Sequence, residues 1–182
     1  MSDTRAVDAQ ILEPSIDPKT KKIGIRHVRA RNDGGTRTKV MVRDFEPVYT
    51  DEPSSLGGTN TAPSPLETVL VALVGCDGVI INGVAKAMDF DYAAVEFECE
   101  SQIDVRGPKG VPGVRPYFET CDLRIVLYTD EPRERVDRLI RNVEFRCPVM
   151  NLLRAAEVKL SVDWQVRPKA EAAAGADAGG AA

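Results

Sequence analysis

The stretch SPLETVLVALVGCDGVIINGVAKAM, residues 64–88, decides the fold of this chain. Ser64 is a preferred N-cap residue, Pro65 suits the first helical position, and Glu67 completes a capping box. Residues 69–74 are all apolar, so no polar stripe interrupts the first half of the helix. A helix without a polar face is buried on every side. The pattern therefore predicts one long central helix that sheets and a second subunit would have to cover.

Alternating apolar and polar residues on both sides of this helix predict strands. The predicted strands cover residues 23–28, 38–42, 95–99, 121–127 and 158–166. Residues 32–35 (Asn-Asp-Gly-Gly) predict a turn between the first two strands, and residues 47–63 predict a loop. An apolar stripe that begins at Val136 predicts a second helix, and Cys147-Pro148 predicts the start of a third. This order predicts an α+β fold with mostly antiparallel sheet, and it lacks the rhythm of a dinucleotide fold.

The composition is typical of a folded protein with a modest negative charge. The 182 residues include 24 Lys and Arg against 28 Asp and Glu, which gives a net charge of −4. This balance gives no basic surface for nucleic acid. The longest uncharged apolar run, residues 69–76, is shorter than a membrane span, and the first ten residues contain no apolar leader segment. We therefore expect a cytoplasmic protein without nucleic-acid or membrane partners.

Three regions of the chain differ in composition. Residues 1–20 are polar and lack a hydrophobic period, which predicts a flexible N-terminal arm. Residues 21–168 form the predicted folded domain. Residues 169–182, KAEAAAGADAGGAA, contain no large apolar residue and predict a disordered tail.

The cysteines are the candidate reactive groups. They are Cys76, Cys99, Cys121 and Cys147, and the chain has a single histidine, His27. Because there is no CxxC pair and no second histidine, the sequence predicts neither a metal site nor a cofactor. A Cys–His nucleophile would need His27, which lies on a polar stretch near the N-terminus.

Cys147 has the sequence setting of a reactive cysteine. Pro148 suits the first position of a helix, so Cys147 would be the N-cap. There the helix dipole and the neighbouring Arg146 would favour the thiolate and lower the pKa of the thiol. The alternative is a small buried hydrophobic residue that precedes a proline.

From the residues alone, the other candidates have ordinary structural explanations. Cys76 lies inside the apolar helix, where Asp77 would repel a thiolate, so a core cysteine is favoured. Cys99 and Cys121 lie on the apolar faces of two strands and fit core positions. The capping box explains Glu67 without a catalytic role.

Arginines in the first predicted hairpin are candidates for holding a thiolate. Arg31, Arg37 and Arg43 flank or occupy its strands. A solvated charge at a strand edge is the alternative for each of them.

Two cysteine motifs and their spacing resemble the OsmC/Ohr family. The stretch GGTNTAPSPLETVLVALVGC, ending at Cys76, is similar to the family's central-helix signature, and FRCPVMNLL around Cys147 is similar to its second cysteine motif. The 71-residue spacing, the elements between the motifs and the last strand, VKLSVDWQV, also match, so the resemblance covers residues 22–166. Because Pro65 is followed by Leu66 and not directly by a glutamate, the chain resembles the OsmC-like branch.

The resemblance implies an intertwined homodimer in which antiparallel sheets wrap around two long central helices. It implies a thiol peroxidase that reduces organic hydroperoxides and is recycled by an external thiol reductant. Cys76 matches the peroxidatic cysteine and Cys147 the resolving cysteine. Arg37, with Arg31 second, matches the arginine that orients the peroxide, and Glu67 matches the catalytic glutamate.

Two other functions fit the same sequence. The apolar dimer cleft could bind a small lipophilic ligand without catalysis, in which case the cysteines are dispensable. Alternatively, the cysteine pair could act as a thiol–disulfide sensor that forms a reversible disulfide without peroxide turnover. Asp77, directly after Cys76, departs from the family pattern. If this departure weakens or abolishes peroxidase activity, one of the two alternative functions would apply.

Overall fold

The computed structural model describes Thr20 and residues 22–172. The chain divides into two compact units, residues 1–68 and residues 69–182. Almost all of the predicted N-terminal arm and the last residues of the predicted tail lie outside the described residues. Each unit contains a three-stranded sheet, and a long helix begins in the last residues of the first unit.

The sheet of the first unit is antiparallel. Its strands, in spatial order, are β1 (Arg29–Asn32), β2 (Thr38–Met41) and β3 (Val48–Thr50). The predicted turn between β1 and β2 is confirmed, because the Gly34 N–H donates to Asn32 Oδ1 at 2.8 Å. Gly34 and Gly35 both take positive φ angles there, a conformation that glycine adopts without strain.

Two sequence predictions in this unit are wrong. Residues 23–28, predicted as a strand, pair with no strand in the described chain, and Ile25 is 83% exposed. No neighbouring strand in the described chain buries the apolar side chains of residues 23–28, so the sheet begins at Arg29. Residues 47–63, predicted as a loop, contain β3 and a 3-10 turn at Ser54–Leu56. The many turn-forming residues around β3 masked a strand of only 3 residues.

Asp51 fixes the loop that follows β3. Its side chain is fully buried, and its carboxylate accepts hydrogen bonds from three segments of the unit. The donors are the Thr36 hydroxyl (2.6 Å), the Glu52 N–H (2.8 Å), the Thr59 N–H and hydroxyl (3.1 and 2.6 Å) and the Thr61 N–H and hydroxyl (both 3.1 Å). These bonds, led by those from Thr36 and Thr59, hold the pKa of Asp51 far below its ordinary value.

The long helix α1 (Pro65–Met88) begins where the sequence predicts. The Ser64 N–H donates to Glu67 Oε2 at 2.6 Å, and the Glu67 N–H donates to Ser64 Oγ at 3.2 Å, so the capping box is confirmed. Its 24 residues are long and apolar enough to cross a membrane. The uncharged apolar run of residues 69–76, which is only part of this helix, did not indicate this. The core helix of a soluble protein passes the same test, so length and composition alone do not separate the two.

The described residues cover one face of α1 and leave the opposite face exposed. The buried positions recur at helical spacing and are Leu73, Asp77, Ile81, Val84 and Ala85. On the other side, Val71 is 61% and Val79 is 70% exposed. Apart from adjacent residues and the backbone of the helix itself, no atom among the described residues lies within 4 Å of a Cβ built on Gly75 or Gly83. Within the described residues, α1 therefore lacks the all-round burial expected from the sequence.

The sheet of the second unit is mixed. Strand β4 (Ala94–Gln102) pairs antiparallel with β5 (Thr120–Tyr128), and β6 (Lys159–Arg167) pairs parallel with β5. The chain reaches β6 through α2 (Arg133–Arg146) and α3 (Pro148–Ala155), and this crossover makes the last pair parallel. The α+β class is confirmed, with one parallel pair in a fold expected to be mostly antiparallel.

The second unit extends into the predicted tail. Residues Lys169–Glu171 form a 3-10 turn after β6. The Lys169 N–H donates to Asp130 at 3.2 Å, and the Lys169 ammonium pairs with Asp91. These polar contacts order the start of a segment whose composition contains no residue that could pack into a core.

Loss of the Asp51 contacts should destabilise the first unit most strongly at neutral pH. Because the folded-state pKa is lowered, the ionised carboxylate stabilises the fold above the unfolded-state pKa of about 3.9. That contribution is lost as the pH falls toward the folded-state pKa. We expect Asp51→Asn to lower the urea midpoint at pH 7 and to differ less from wild type at pH 3. Asp44→Asn, which changes an exposed carboxyl in the same unit, is the control and should have little effect at either pH.

The exposed face of α1 should mediate self-association. We expect a dimer in light scattering at micromolar concentration, because Val71 and Val79 leave apolar surface uncovered. Val79→Glu would place a charge in that contact and should give a monomer or an aggregate. Val105→Glu, at a loop position 57% exposed, is the matched control and should remain dimeric. A folded wild-type monomer at these concentrations would contradict the expectation.

Candidate redox site

Cys147 lies at the junction of α2 and α3. It is the N-cap of α3, and its Sγ accepts a hydrogen bond from the Met150 N–H at 3.4 Å. Its backbone carbonyl accepts from the Asn151 N–H at 3.1 Å, which closes the first turn of the helix. The predicted N-cap position is therefore confirmed, and Pro148 occupies the first helical position as expected.

The predicted low pKa of Cys147 is not found. The side chain has no exposed surface, and this burial raises the pKa of the thiol. The Asp77 carboxyl raises it further, whereas the Met150 N–H acts in the opposite direction and is outweighed. One backbone N–H at a helix terminus does not compensate for the loss of water around a sulfur anion.

Cys76 lies in the middle of α1, near enough to the Cys147 thiol to affect its pKa. The Cys76 side chain interacts with the Cys147 thiol and contributes to the raised pKa of Cys147. Cys76 is half-buried, whereas Cys147 is fully buried. The structure thus places two of the four sequence-predicted site residues near each other, and one of these two residues is partly exposed.

Asp77 is the unexpected member of this group. It is fully buried, and neither carboxylate oxygen has a hydrogen-bond partner among the described residues. Burial raises the pKa of Asp77, and the Cys147 thiol beside it acts in the opposite direction although the contact lacks hydrogen-bond geometry. The sequence signal for this group was an acidic residue on the face of an otherwise apolar helix, at the position after the candidate nucleophile.

Glu144 and Arg154, the charged residues that affect the pKa of Asp77, form an ion pair with each other. Arg154 donates to the backbone carbonyl of Glu144 at 2.8 Å and to its Oε2 at 2.7 Å. The other Glu144 oxygen accepts from the Trp164 indole at 3.2 Å. Glu144 raises and Arg154 lowers the pKa of Asp77, so the two largely oppose each other. Asp77 has no cation of its own in the described chain.

Cys99 and Cys121 form a second close pair of thiols. Their sulfurs lie 3.6 Å apart on the inner face of the β4–β5 hairpin, where Cys121 is fully buried. The hydrogen bond between them raises the pKa of Cys99 and lowers that of Cys121. The sequence placed both residues in the core but missed their contact. The register that places Cys99 opposite Leu123 and Cys121 opposite Ser101 puts the two on one face as diagonal neighbours.

Arg37, Arg31 and Glu67 belong to the first unit. The Arg37 guanidinium lies 4.0 Å from the centroid of the Tyr49 ring, and its Nε donates to the Thr61 hydroxyl at 3.1 Å. Arg31 pairs with Asp33 in the hairpin turn and is exposed. Arg37 is therefore the better fixed of the two candidate arginines. Glu67 is exposed, and its hydrogen bonds with Ser64 lower its pKa.

No metal centre is formed in the part of the chain that the structure covers. Within Thr20 and residues 22–172, no three His, Cys, Asp or Glu side chains are placed to hold a metal ion.

The family assignment follows from comparison with known proteins. The family described as OsmC-like protein matches residues 58–163, more than half of the chain. This chain belongs to the OsmC family. No match is found among curated proteins.

Solved structures of OsmC proteins share this fold at low sequence identity. An OsmC-like protein from Mycoplasma pneumoniae matches with a TM-score of 0.65 and 18% identity, covering 79% of this chain and 98% of the other. An organic hydroperoxide resistance protein OsmC from Legionella pneumophila matches with a TM-score of 0.59 and 19% identity, covering 81% and 99%. The organic hydroperoxide resistance protein OhrB of Bacillus subtilis matches with a TM-score of 0.52 and 20% identity, covering 79% and 98%. At these identities the likeness establishes the OsmC fold and leaves the activity to be argued from the site.

Neutralising Asp77 should change how stability depends on pH. Because the folded-state pKa is raised, the folded OsmC chain binds more protons than the unfolded chain from about pH 4 up to the folded-state pKa, so stability falls as the pH rises through that window. We expect Asp77→Asn to gain unfolding free energy relative to wild type between pH 4 and pH 8. Asp122→Asn, at an exposed carboxyl on β5, is the control. Parallel pH profiles for wild type and Asp77→Asn would contradict this prediction.

Proposed function

We propose that this OsmC protein is a thiol-dependent peroxidase that reduces organic hydroperoxides through Cys76 and Cys147. The observation that carries the proposal is the interaction of the half-buried Cys76 with the fully buried Cys147. A nucleophile that must meet a substrate needs access, whereas its resolving partner needs only to reach the first sulfur. Fold relatives named as organic hydroperoxide resistance proteins support the same substrate class.

The proposed reaction has three balanced steps. The Cys76 thiolate attacks one oxygen of the hydroperoxide, the O–O bond breaks, and an alcohol leaves after taking up a proton. Cys76 is then a sulfenic acid. The Cys147 sulfur attacks the Cys76 sulfur, the S–O bond breaks, and water leaves as the disulfide forms. An external dithiol reduces that disulfide by exchange and is itself oxidised.

The first unit supplies the other proposed residues. Arg37 is proposed to orient the peroxide, because a guanidinium fixed on Tyr49 and Thr61 is pre-organised to donate hydrogen bonds to a peroxide oxygen. Glu67 is proposed as its acidic partner, in addition to the capping role that its contacts with Ser64 already define. The proposed assembly is a homodimer in the cytoplasm, which covers the open face of α1.

The two alternative functions are a thiol–disulfide sensor and a binding protein for a lipophilic ligand. A thiol–disulfide sensor would use the same Cys76 and Cys147 pair without turnover. A binding protein for a lipophilic ligand needs an apolar cavity. A cavity of about 190 Å³ in the second unit lies on the outer face of the sheet, and its lining includes Glu98, Asp122 and Arg124. Those charged groups do not suit an apolar ligand, so this cavity does not favour the binding protein.

Single substitutions should separate these functions by their effects on peroxide consumption. With an organic hydroperoxide and a dithiol, Cys76→Ser should abolish the activity, because serine forms no sulfenic acid. Cys147→Ser should allow one turnover, followed by slow recycling or overoxidation of Cys76. Cys99→Ser should leave the rate nearly unchanged and cost only packing stability. If wild type consumes peroxide no faster than Cys76→Ser, the peroxidase proposal is wrong.

Arg37 has a matched control in its own unit. Arg37→Ala should slow the reaction of Cys76 with peroxide roughly tenfold or more, the effect of losing one charge-assisted hydrogen bond. Arg43 also stacks on an aromatic ring, with its guanidinium carbon 4.4 Å from the centroid of Phe45. Arg43→Ala should therefore show the structural cost of removing a stacked arginine, without the loss of rate. Equal rates for the two variants would exclude the proposed role of Arg37.

A further inference from the structure

We propose that Asp77 is the proton acceptor for the Cys147 thiol when Cys147 attacks the sulfenic acid of Cys76. This role deepens the proposed peroxidase function and rests on it. The geometric basis is a fully buried carboxyl, next in sequence to Cys76, with no hydrogen-bond partner on either oxygen among the described residues. The effect of Asp77 on the pKa of the Cys147 thiol supports their proximity.

A carboxyl group in this position has a cost that a structural role does not explain. An ionised carboxylate without a partner is expensive to bury, and a protonated one leaves its polar atoms unpaired as well. An apolar residue on this face of α1 would avoid both penalties. Asp77 also caps no helix and holds no loop, in contrast to Asp51, whose oxygens accept six hydrogen bonds.

The resolving step needs a base at this place. Cys147 has no exposed surface, so water cannot take its proton directly. Its thiol is held in the protonated form by burial, and a neutral thiol is a poor nucleophile. Burial also raises the pKa of Asp77, which makes its carboxylate a stronger base than an ordinary, solvated carboxylate.

Other titratable groups around Asp77 are less suited to this role. They are Cys76 on α1, Glu144 on α2, Arg154 on α3, Cys99 on β4 and Cys121 on β5. Glu144 is bound to Arg154 and to the Trp164 indole. Cys99 and Cys121 are hydrogen-bonded to each other. Asp77 is the acidic group of this cluster whose oxygens are unoccupied in the described chain.

The step is balanced without a further reactant. Ionised Asp77 takes the proton from the Cys147 thiol, and the electron pair of the Cys147 sulfur forms the S–S bond. The S–O bond of the Cys76 sulfenic acid breaks, and its electron pair leaves with the oxygen. Asp77 returns the proton to that oxygen, so water is released and the carboxylate is restored. Cys147 is oxidised and the sulfenic sulfur is reduced.

The test separates the two half-reactions of one turnover in the full-length protein. Reduced wild type, Asp77→Asn, Asp122→Asn and Cys147→Ser are mixed with an organic hydroperoxide without reductant. Sulfenic acid at Cys76 is followed with a dimedone-type trap, and disulfide is followed by mass, at several pH values from 5 to 9. Circular dichroism establishes that each variant is folded.

We expect Asp77→Asn to form the sulfenic acid at a rate close to that of wild type. Its disulfide formation should be slower by on the order of 100-fold, the usual contribution of a general base. It should also lose the rise of the rate with pH that reports ionisation of Asp77, and Cys76 should become overoxidised, as in Cys147→Ser. Asp122→Asn, which removes an exposed acidic charge from β5, should behave as wild type.

The outcomes distinguish the inference from the function on which it rests. If wild type forms no sulfenic acid, the peroxidase proposal fails. If wild type forms sulfenic acid and disulfide, and folded Asp77→Asn forms the disulfide equally fast with the same pH profile, Asp77 is not the proton acceptor. If Asp77→Asn slows both half-reactions by the same factor, its effect is structural and the inference is overturned as well.

Discussion

Burial of polar groups beneath helix α1 is the constraint on which the rest of the structure depends. The helix carries Leu73, Asp77 and Ile81 on its covered face, so a carboxyl group lies in the middle of the stripe that anchors the helix to the sheet of its own unit. Removal of water there sets the protonation of the neighbouring groups. It keeps Cys147 as a thiol and disfavours the carboxylate form of Asp77.

In the proposed mechanism, the same burial suits Cys76 and Cys147 to different tasks. Cys76, on the edge of the covered face, retains some exposure and can meet a substrate. Cys147, at the N-cap of α3, is sealed off and can react only with a partner delivered by the fold. In water-filled surroundings the helix terminus would lower the thiol pKa, but here desolvation is the larger effect. A resolving cysteine that stays protonated until a sulfenic acid forms beside it would also be protected from direct oxidation.

The sequence predicted elements with strong local signals and missed those that depend on long-range pairing. Three local motifs could be predicted because each is complete within a few residues. They are the capping box at Ser64 and Glu67, the turn at Gly34 and the N-cap at Cys147. The strand expected at residues 23–28 failed because alternation does not tell whether a neighbouring strand exists. Strand β3 was too short to be recognised between turn formers.

The candidate site shows the same division. Its two cysteines could be chosen from motif and spacing, but the sign of the Cys147 pKa shift could not, because burial is a property of the whole unit. The contact of Cys99 with Cys121 required the register of the β4–β5 hairpin. The sequence indicated Asp77 only as an acidic residue in the apolar pattern of helix α1. Its lack of hydrogen-bond partners became evident once the surrounding elements were in place.

The central claim is that Cys76 and Cys147 are the redox pair of this OsmC protein. Peptide mapping after mild treatment with an organic hydroperoxide and alkylation of the remaining thiols tests it most directly. The account predicts one disulfide, between Cys76 and Cys147 of the same subunit, with Cys99 and Cys121 recovered as alkylated thiols. A disulfide between Cys99 and Cys121 in its place, or equal alkylation of Cys76 before and after peroxide with no linked peptide, would contradict it.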